Sequence, residues 1–185
     1  MSAEPYGGSQ PSAPGVKRQR SLYTAAQRAR RDATRWTLVQ GVLAPLQFLV
    51  FLISLVLVIR YLATGAGYEA ATVSILIKTA FLYLIMITGA IWEKVVFGQY
   101  LFAEAFFWED VFSFAVIALH TAYLWALFSG SAGAEAQMWI ALAAYGFYVI
   151  NAGQFLWKLR VARIEGDRVD PSEGTVVLVA ERARA

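Results

Sequence analysis

The chain has 185 residues, of which 58% are apolar and 16% charged, with a formal net charge of +3. Soluble domains are closer to half apolar and a quarter charged, so this composition favours a membrane protein. The sequence contains no cysteine, which excludes disulfides and thiolate metal sites. The small positive charge is not typical of nucleic-acid binding, and no nucleic-acid partner is expected.

The N-terminal region is polar and contains no apolar stretch typical of a signal peptide. Residues 1–23 are rich in Gly, Pro, Ser and Gln and are predicted to form a disordered tail. The following segment, residues 24–35, has a helix-forming composition with many arginines, which favours a position along an anionic membrane surface. A membrane domain is predicted over residues 24–164, followed by a flexible tail, residues 165–185.

Four stretches are long enough to cross a bilayer, whose apolar core of about 30 Å needs roughly 20 residues per helix. They cover roughly residues 36–63, 72–92, 111–128 and 136–157. The predicted fold is therefore an all-α integral membrane bundle of four transmembrane helices. Lys and Arg flank the first and last stretches but are missing from the first and third loops, so both termini are predicted to be cytoplasmic.

Polar side chains inside apolar stretches need partners, which are either neighbouring helices or a ligand. In the first stretch Gln40 shares a helical face with Gln47 and Ser54. The fourth stretch contains Asn151 and Gln154 near its cytoplasmic half. A polar cavity open to the cytoplasm would satisfy such groups together with the acids of the central connection.

The third stretch, taken as a helix from Phe106, carries one stripe of residues: Glu109, Ser113, Val116, His120 and Tyr123. Glu109 and His120 are roughly 16 Å apart along the axis, close to the width of a tetrapyrrole ring. Ionisable groups in hydrocarbon are functional by default. The simpler alternatives are that Glu109 and Asp110 favour the start of a helix, and that His120 bonds to a carbonyl on a neighbouring helix.

Charged residues near the membrane ends allow two interpretations each, whereas the aromatic residues there favour one. Lys78 either extends to the headgroups or forms an internal ion pair. Glu93, next to Lys94, is either a solvated charge at a helix end or a further functional carboxylate. Glu104 is another candidate functional carboxylate. An interfacial aromatic belt is predicted for four residues: Trp92, Tyr100, Phe102 and Trp108.

Four segments combine polar and apolar residues in specific runs: residues 30–45, 91–98, 106–113 with 119–123, and 148–152. They include Trp92-Glu93-Lys94, Trp108-Glu109-Asp110 and His120-Thr121-Ala122-Tyr123. Over about residues 25–164 the chain resembles the 2-vinyl (3-vinyl in newer numbering) bacteriochlorophyllide hydratase family. The two tails lie outside this resemblance.

The resemblance implies a hydro-lyase in the inner membrane of a phototrophic bacterium. Such an enzyme adds water to the 3-vinyl group of a (bacterio)chlorophyllide and gives the 3-(1-hydroxyethyl) product of bacteriochlorophyll biosynthesis. No redox cofactor is implied, and the magnesium belongs to the substrate. The expected partners are this substrate, the lipid bilayer and other enzymes of pigment biosynthesis.

Adding water to an alkene requires an acid, a base and a positioned water. Either Glu109 is the acid and Asp110 the base, or the reverse, with Glu104 or Glu93 as a third candidate. The residues predicted to contact substrate are His120, Ser113, Tyr123, Asn151, Gln154, Gln40 and Trp108. His120 is either the axial ligand of the substrate magnesium or itself the acid. The substrate propionate is expected at one of four cations: Arg30, Arg31, Arg35 or Lys94.

Two other functions compete with hydration. A non-catalytic carrier or assembly factor for (bacterio)chlorophyllide would use His120 and the aromatic residues equally well, but it leaves the acid pair unexplained. A small transporter or channel subunit is disfavoured because the sequence shows no internal repeat.

Overall fold

The computed structural model describes residues 22–168, and for residues 162, 163 and 165–168 it describes the backbone alone. The predicted tails lie largely outside this range. The described part is all-α, as predicted, and contains no strand. It has five helices, α1 (Ala25–Ala33), α2 (Arg35–Thr64), α3 (Tyr68–Phe97), α4 (Phe107–Ser129) and α5 (Ala134–Arg168).

The four helices α2 to α5 are each long and apolar enough to cross a membrane, which confirms the predicted four-helix bundle. They extend beyond the predicted ends; α3, for example, begins at Tyr68 and continues to Phe97. The added turns carry polar and aromatic residues, because a helix continues past the point where hydropathy falls. For the same reason α5 continues past the predicted end of the membrane domain.

The short helix α1 begins with a capping box at Thr24. The Gln27 N–H donates to the Thr24 hydroxyl over 3.2 Å, and the Thr24 N–H donates to the Gln27 side chain over 2.8 Å. Directly before it, Tyr23 is buried and stacks on Phe97 with ring centroids 5.8 Å apart. Tyr23, the last residue assigned to the predicted tail, therefore packs against the membrane helices, and the rest of that prediction lies almost entirely outside the described residues.

The membrane helices form two hairpins, α2 with α3 and α4 with α5. Gly65 and Gly67, both at positive φ, make the tight turn of the first hairpin, and Gly130 ends α4 in the same backbone region. Helix α2 also packs against α5, whereas α3 and α4 meet over a shorter region. The core between the hairpins is apolar and aromatic, and includes Phe51, Val58, Ile75, Val116 and Tyr145.

Polar side chains join the helices at two places on α2. The Ser54 hydroxyl bonds to Ser74 over 2.7 Å and to Tyr145 over 2.5 Å, which ties α2 to α3 and α5. The Gln40 amide donates to the Thr88 hydroxyl over 2.8 Å. For Ser54 and Gln40 these contacts support interhelical bonding over contact with a ligand.

Candidate active site

Three buried carboxyl groups meet where α3 ends and α4 begins. Glu93 lies near the end of α3, while Glu109 and Asp110 lie in the first turn of α4. Their exposed fractions are 5%, 3% and 4%, respectively. With Lys158 of α5, which contacts Glu109, they form a group that we call the carboxylate cluster. Charged groups buried this deeply need specific partners.

Glu93 and Asp110 lie close together across the α3–α4 interface, since consecutive N–H groups of the connecting loop donate to their two carboxyl groups. Two carboxyl groups form a hydrogen bond only when one of them carries a proton. Backbone groups fix both: the Phe102 N–H donates to Asp110 over 2.6 Å, and the Ala103 N–H donates to Glu93 over 3.3 Å. The loop therefore positions two buried carboxyl groups together, an arrangement suited to sharing a proton.

The α3–α4 loop, residues 98–106, supplies these two backbone donors in a strained conformation. Phe102 has φ +59°, and among the described residues it is the one non-glycine residue at positive φ. A bulky residue in this region is uncommon and costs free energy. Its ring stacks on Phe114 of α4, with centroids 5.5 Å apart and an interplanar angle of 8°. This packing holds the loop so that its N–H groups point at the carboxyl pair.

Glu109 has a different partner. The Lys158 ammonium lies 2.5 Å from its carboxylate, donates to the Ala105 carbonyl and lies over the Phe106 ring. This ion pair sets Glu109 apart from Glu93 and Asp110, which have no such cation beside them among the contacts described. Lys158 was not among the predicted site residues. Its spacing from Asn151 and Gln154, at i+7 and i+4, puts all three on one helical face and could have identified it.

One turn deeper, polar groups of α4 and α5 face each other. The Asn151 amide donates to the Ser113 hydroxyl over 2.8 Å. The side-chain carbonyl oxygens of Asn151 and Gln154 are buried and accept no hydrogen bond from the described residues. The structure therefore brings Ser113 and Asn151 into contact, with Gln154 one turn further along α5 toward Lys158 of the carboxylate cluster.

His120 and Tyr123 lie deeper still, and both are fully buried. The His120 Nδ1 bonds to the Val116 carbonyl over 2.8 Å, which belongs to its own helix and not to a neighbouring one as predicted. Its Nε2 is left as an acceptor of the kind that binds metal ions. The ring is enclosed against Tyr145, however, so ligation of a substrate magnesium would require the helices to separate.

Both predictions for Lys78 are wrong. Its side chain is fully buried, so it does not reach the headgroups, and its ammonium has no hydrogen-bonding partner within the described range. The nitrogen instead lies 3.8 Å from the centroid of the Tyr148 ring. The bundle is packed closely enough at this level that a long side chain cannot leave it.

The family model for 2-vinyl bacteriochlorophyllide hydratase matches residues 23–161 of this chain. The chain belongs to the 2-vinyl bacteriochlorophyllide hydratase family. A relative of that name from Cereibacter sphaeroides is 76% identical over 156 residues, covering 84% of this chain and 96% of the relative. Another, from Rhodobacter capsulatus, is 69% identical over 172 residues, covering 93% and 98%. No solved structure matches the chain.

Three predicted site residues of this hydratase-family chain lie outside the buried site. Glu104 is exposed at the turn before α4. Gln40 donates a hydrogen bond to Thr88 at the α2–α3 interface. Trp108 is 64% exposed. It belongs to a group of partly exposed rings next to the carboxylate cluster, which we call the aromatic surface: Phe102, Phe107, Trp108 and Phe114. Glu93, by contrast, is a full member of the cluster and not a solvated charge.

Proposed function

We propose that this protein is a membrane hydratase that adds water to the 3-vinyl group of a (bacterio)chlorophyllide and yields the 3-(1-hydroxyethyl) product. Membership of the hydratase family over most of the chain supports this reaction. The buried Glu93–Asp110 pair carries the assignment of the site, because two carboxyl groups held by loop N–H groups beside an apolar ring surface are suited to donating a proton. A non-catalytic carrier has no use for such a pair.

The reaction begins with transfer of a proton to the terminal carbon of the vinyl group. Positive charge then develops on the adjacent carbon, where the conjugated macrocycle spreads it. Water attacks that carbon and loses a proton to a base. Oxidation states balance without an electron donor or acceptor, so the proposed reaction requires no redox cofactor.

The Glu93–Asp110 pair is the proposed acid. A proton shared by two carboxyl groups in a buried site is kept next to the vinyl group, and its transfer to the weakly basic alkene is favoured by stabilisation of the cation that forms. The two loop N–H groups stabilise the carboxylate that remains after transfer. Each proton donated can be regained from the water that is added.

Glu109 is the proposed base and charge stabiliser. Its side chain is paired with the Lys158 side chain and lies next to the pair that donates the proton. A fixed negative charge in a site of low dielectric stabilises a developing cation more than it would in water. The amide and hydroxyl groups of Ser113, Asn151 and Gln154 lie one turn away and are the proposed holders of the attacking water.

The aromatic surface is the proposed place where the macrocycle binds. Flat apolar rings stack favourably on exposed aromatic side chains. Phe102 is part of this surface and also donates its N–H to Asp110, so the surface adjoins the acid directly. A ring lying there would direct its vinyl group between α3 and α4.

We place the protein in the bacterial inner membrane, with both termini and the carboxylate cluster on the cytoplasmic side. The four candidate spans support a multi-pass protein. The arginines of α1 lie near the same end of the bundle as the α3–α4 loop, since Tyr23 packs on that loop's Phe106. Positive residues of this kind are retained in the cytoplasm.

The site is tested by replacing each member of the acid pair with its amide, Glu93→Gln and Asp110→Asn. Hydration of 3-vinyl bacteriochlorophyllide by membranes containing either variant should fall at least about 100-fold, the range expected for loss of an acid. The exposed carboxylates Glu69 and Glu135 offer matched controls, as Glu69→Gln and Glu135→Gln should retain full rates. Unchanged rates in both acid-pair variants would overturn the assignment.

A further inference from the structure

Six buried polar atoms inside the bundle have no hydrogen-bond partner in the part of the chain that the structure describes. They belong to Thr72, Lys78, His120, Tyr123, Asn151 and Gln154. Native proteins pair nearly all of their buried polar groups. Several orphaned atoms in one region therefore indicate a polar ligand that the protein chain does not itself provide.

Two of these atoms, the Lys78 nitrogen and the His120 Nε2, are complementary as hydrogen-bond donor and acceptor. Lys78 offers three donors, and its contact with the face of the Tyr148 ring satisfies none of them. His120 donates through Nδ1 to Val116, so its Nε2 is an acceptor. Both side chains are fully buried, and they contact neighbouring turns of α5, Lys78 at Tyr148 and His120 at Tyr145. A small molecule that both accepts and donates hydrogen bonds would satisfy both groups.

The remaining atoms extend this arrangement toward both ends of α4. On one side the Tyr123 hydroxyl approaches that of Thr72, and neither has a hydrogen bond of normal geometry. On the other side Asn151 and Gln154 present carbonyl oxygens beside the carboxylate cluster. From Tyr123 to Glu109 the distance along the helix axis is about 21 Å at 1.5 Å per residue.

We propose that these atoms line an internal chain of bound water molecules, which runs from Thr72 and Tyr123 past Lys78 and His120 to the carboxylate cluster. Water is the ligand that matches, because these buried atoms include both donors and acceptors and water is the smallest molecule that serves both. The chain stores and supplies the water that is added to the vinyl group. This supply role rests on the proposed hydratase function, whereas the presence of the bound water does not.

Hydroxyl-radical labelling by X-ray radiolysis tests for the water directly, because radicals form from bound water and oxidise adjacent side chains. Full-length protein in lipid nanodiscs is exposed in H₂¹⁸O, and oxidation is mapped by mass spectrometry. Tyr123 has no solvent exposure, yet it should be labelled at a rate comparable with the exposed Tyr100. Absence of label at Tyr123 in the wild-type protein would overturn the water chain, whether or not the protein hydrates pigment.

Lys78→Met then tests the supply role, with Arg60→Met as the matched replacement of an exposed cation. Labelling of Tyr123 should be lost in Lys78→Met and retained in Arg60→Met. Hydration by Lys78→Met should fall roughly ten- to a hundredfold while pigment binding persists, since a misplaced reactant costs on that order. Loss of label with unchanged hydration would overturn the supply role and leave the hydratase function intact. A wild-type protein that is labelled but hydrates no pigment would instead refute the proposed function.

Discussion

Lys158 determines what Glu109 can do in this site. Its ammonium contacts a carboxylate that is otherwise almost fully buried, and the lysine side chain itself is 29% exposed. Removing the lysine leaves an uncompensated charge in low dielectric, which costs more than the intact pair contributes. The same contact distinguishes Glu109 from the Glu93–Asp110 pair beside it, so two acids that are adjacent in the sequence have different partners and different proposed roles.

The variant Lys158→Met should lower the free energy of unfolding by about 2 kcal/mol, below the roughly 3–5 kcal/mol typical of fully buried pairs because the lysine is partly exposed. Adding Glu109→Gln should restore most of that loss, since the amide carries no charge. Chemical unfolding in detergent micelles of the two single variants and the double variant measures the coupling. Additive effects would contradict a direct ion pair.

Among the elements, the α3–α4 loop has the largest effect on the chemistry. It connects the two helices through residues 98–106. Its consecutive N–H groups, from Phe102 and Ala103, donate to two different carboxyl groups. The positive φ of Phe102 makes this possible, and stacking on Phe114 offsets its strain. The loop thus connects the aromatic surface to the Glu93–Asp110 pair through one residue, Phe102.

Comparison of Phe102→Gly with Phe102→Ala isolates the backbone strain, because both remove the ring. Glycine adopts positive φ without penalty, so the glycine variant should be more stable than the alanine variant by about 1 kcal/mol. Thermal unfolding of the two proteins in the same detergent gives the difference. Equal stability, or a more stable alanine variant, would show that the loop is unstrained at this position.

At the scale of the whole molecule, two helical hairpins enclose a row of polar side chains inside an otherwise apolar bundle. Hydropathy alone predicted the four long helices, because bilayer thickness sets their length. Helical periodicity also predicted that the five residues from Glu109 to Tyr123 share one face of α4, and in the structure all of them but the partly buried Ser113 are buried.

What the sequence did not predict depends on contacts between helices that are distant along the chain. The partner of Glu109 is Lys158, and the group facing Lys78 is the Tyr148 ring. Periodicity shows which face of a helix is buried but not which helix covers it or at what depth. Glu93 and Glu104 look alike as acids of one connection, and only packing places the first inside the cluster and leaves the second exposed.

The central claim is that a carboxyl pair delivers a solvent-derived proton to the vinyl group and that water completes the addition. Its most direct test is incubation of wild-type and Asp110→Asn membranes with 3-vinyl bacteriochlorophyllide in D₂O, followed by mass spectrometry of the pigment. The wild-type product should have gained one water and should carry one non-exchangeable deuterium on its new methyl group, whereas Asp110→Asn should return unchanged pigment. Bound pigment of unaltered mass with the wild-type protein, or equal deuterium incorporation by both, would contradict the claim.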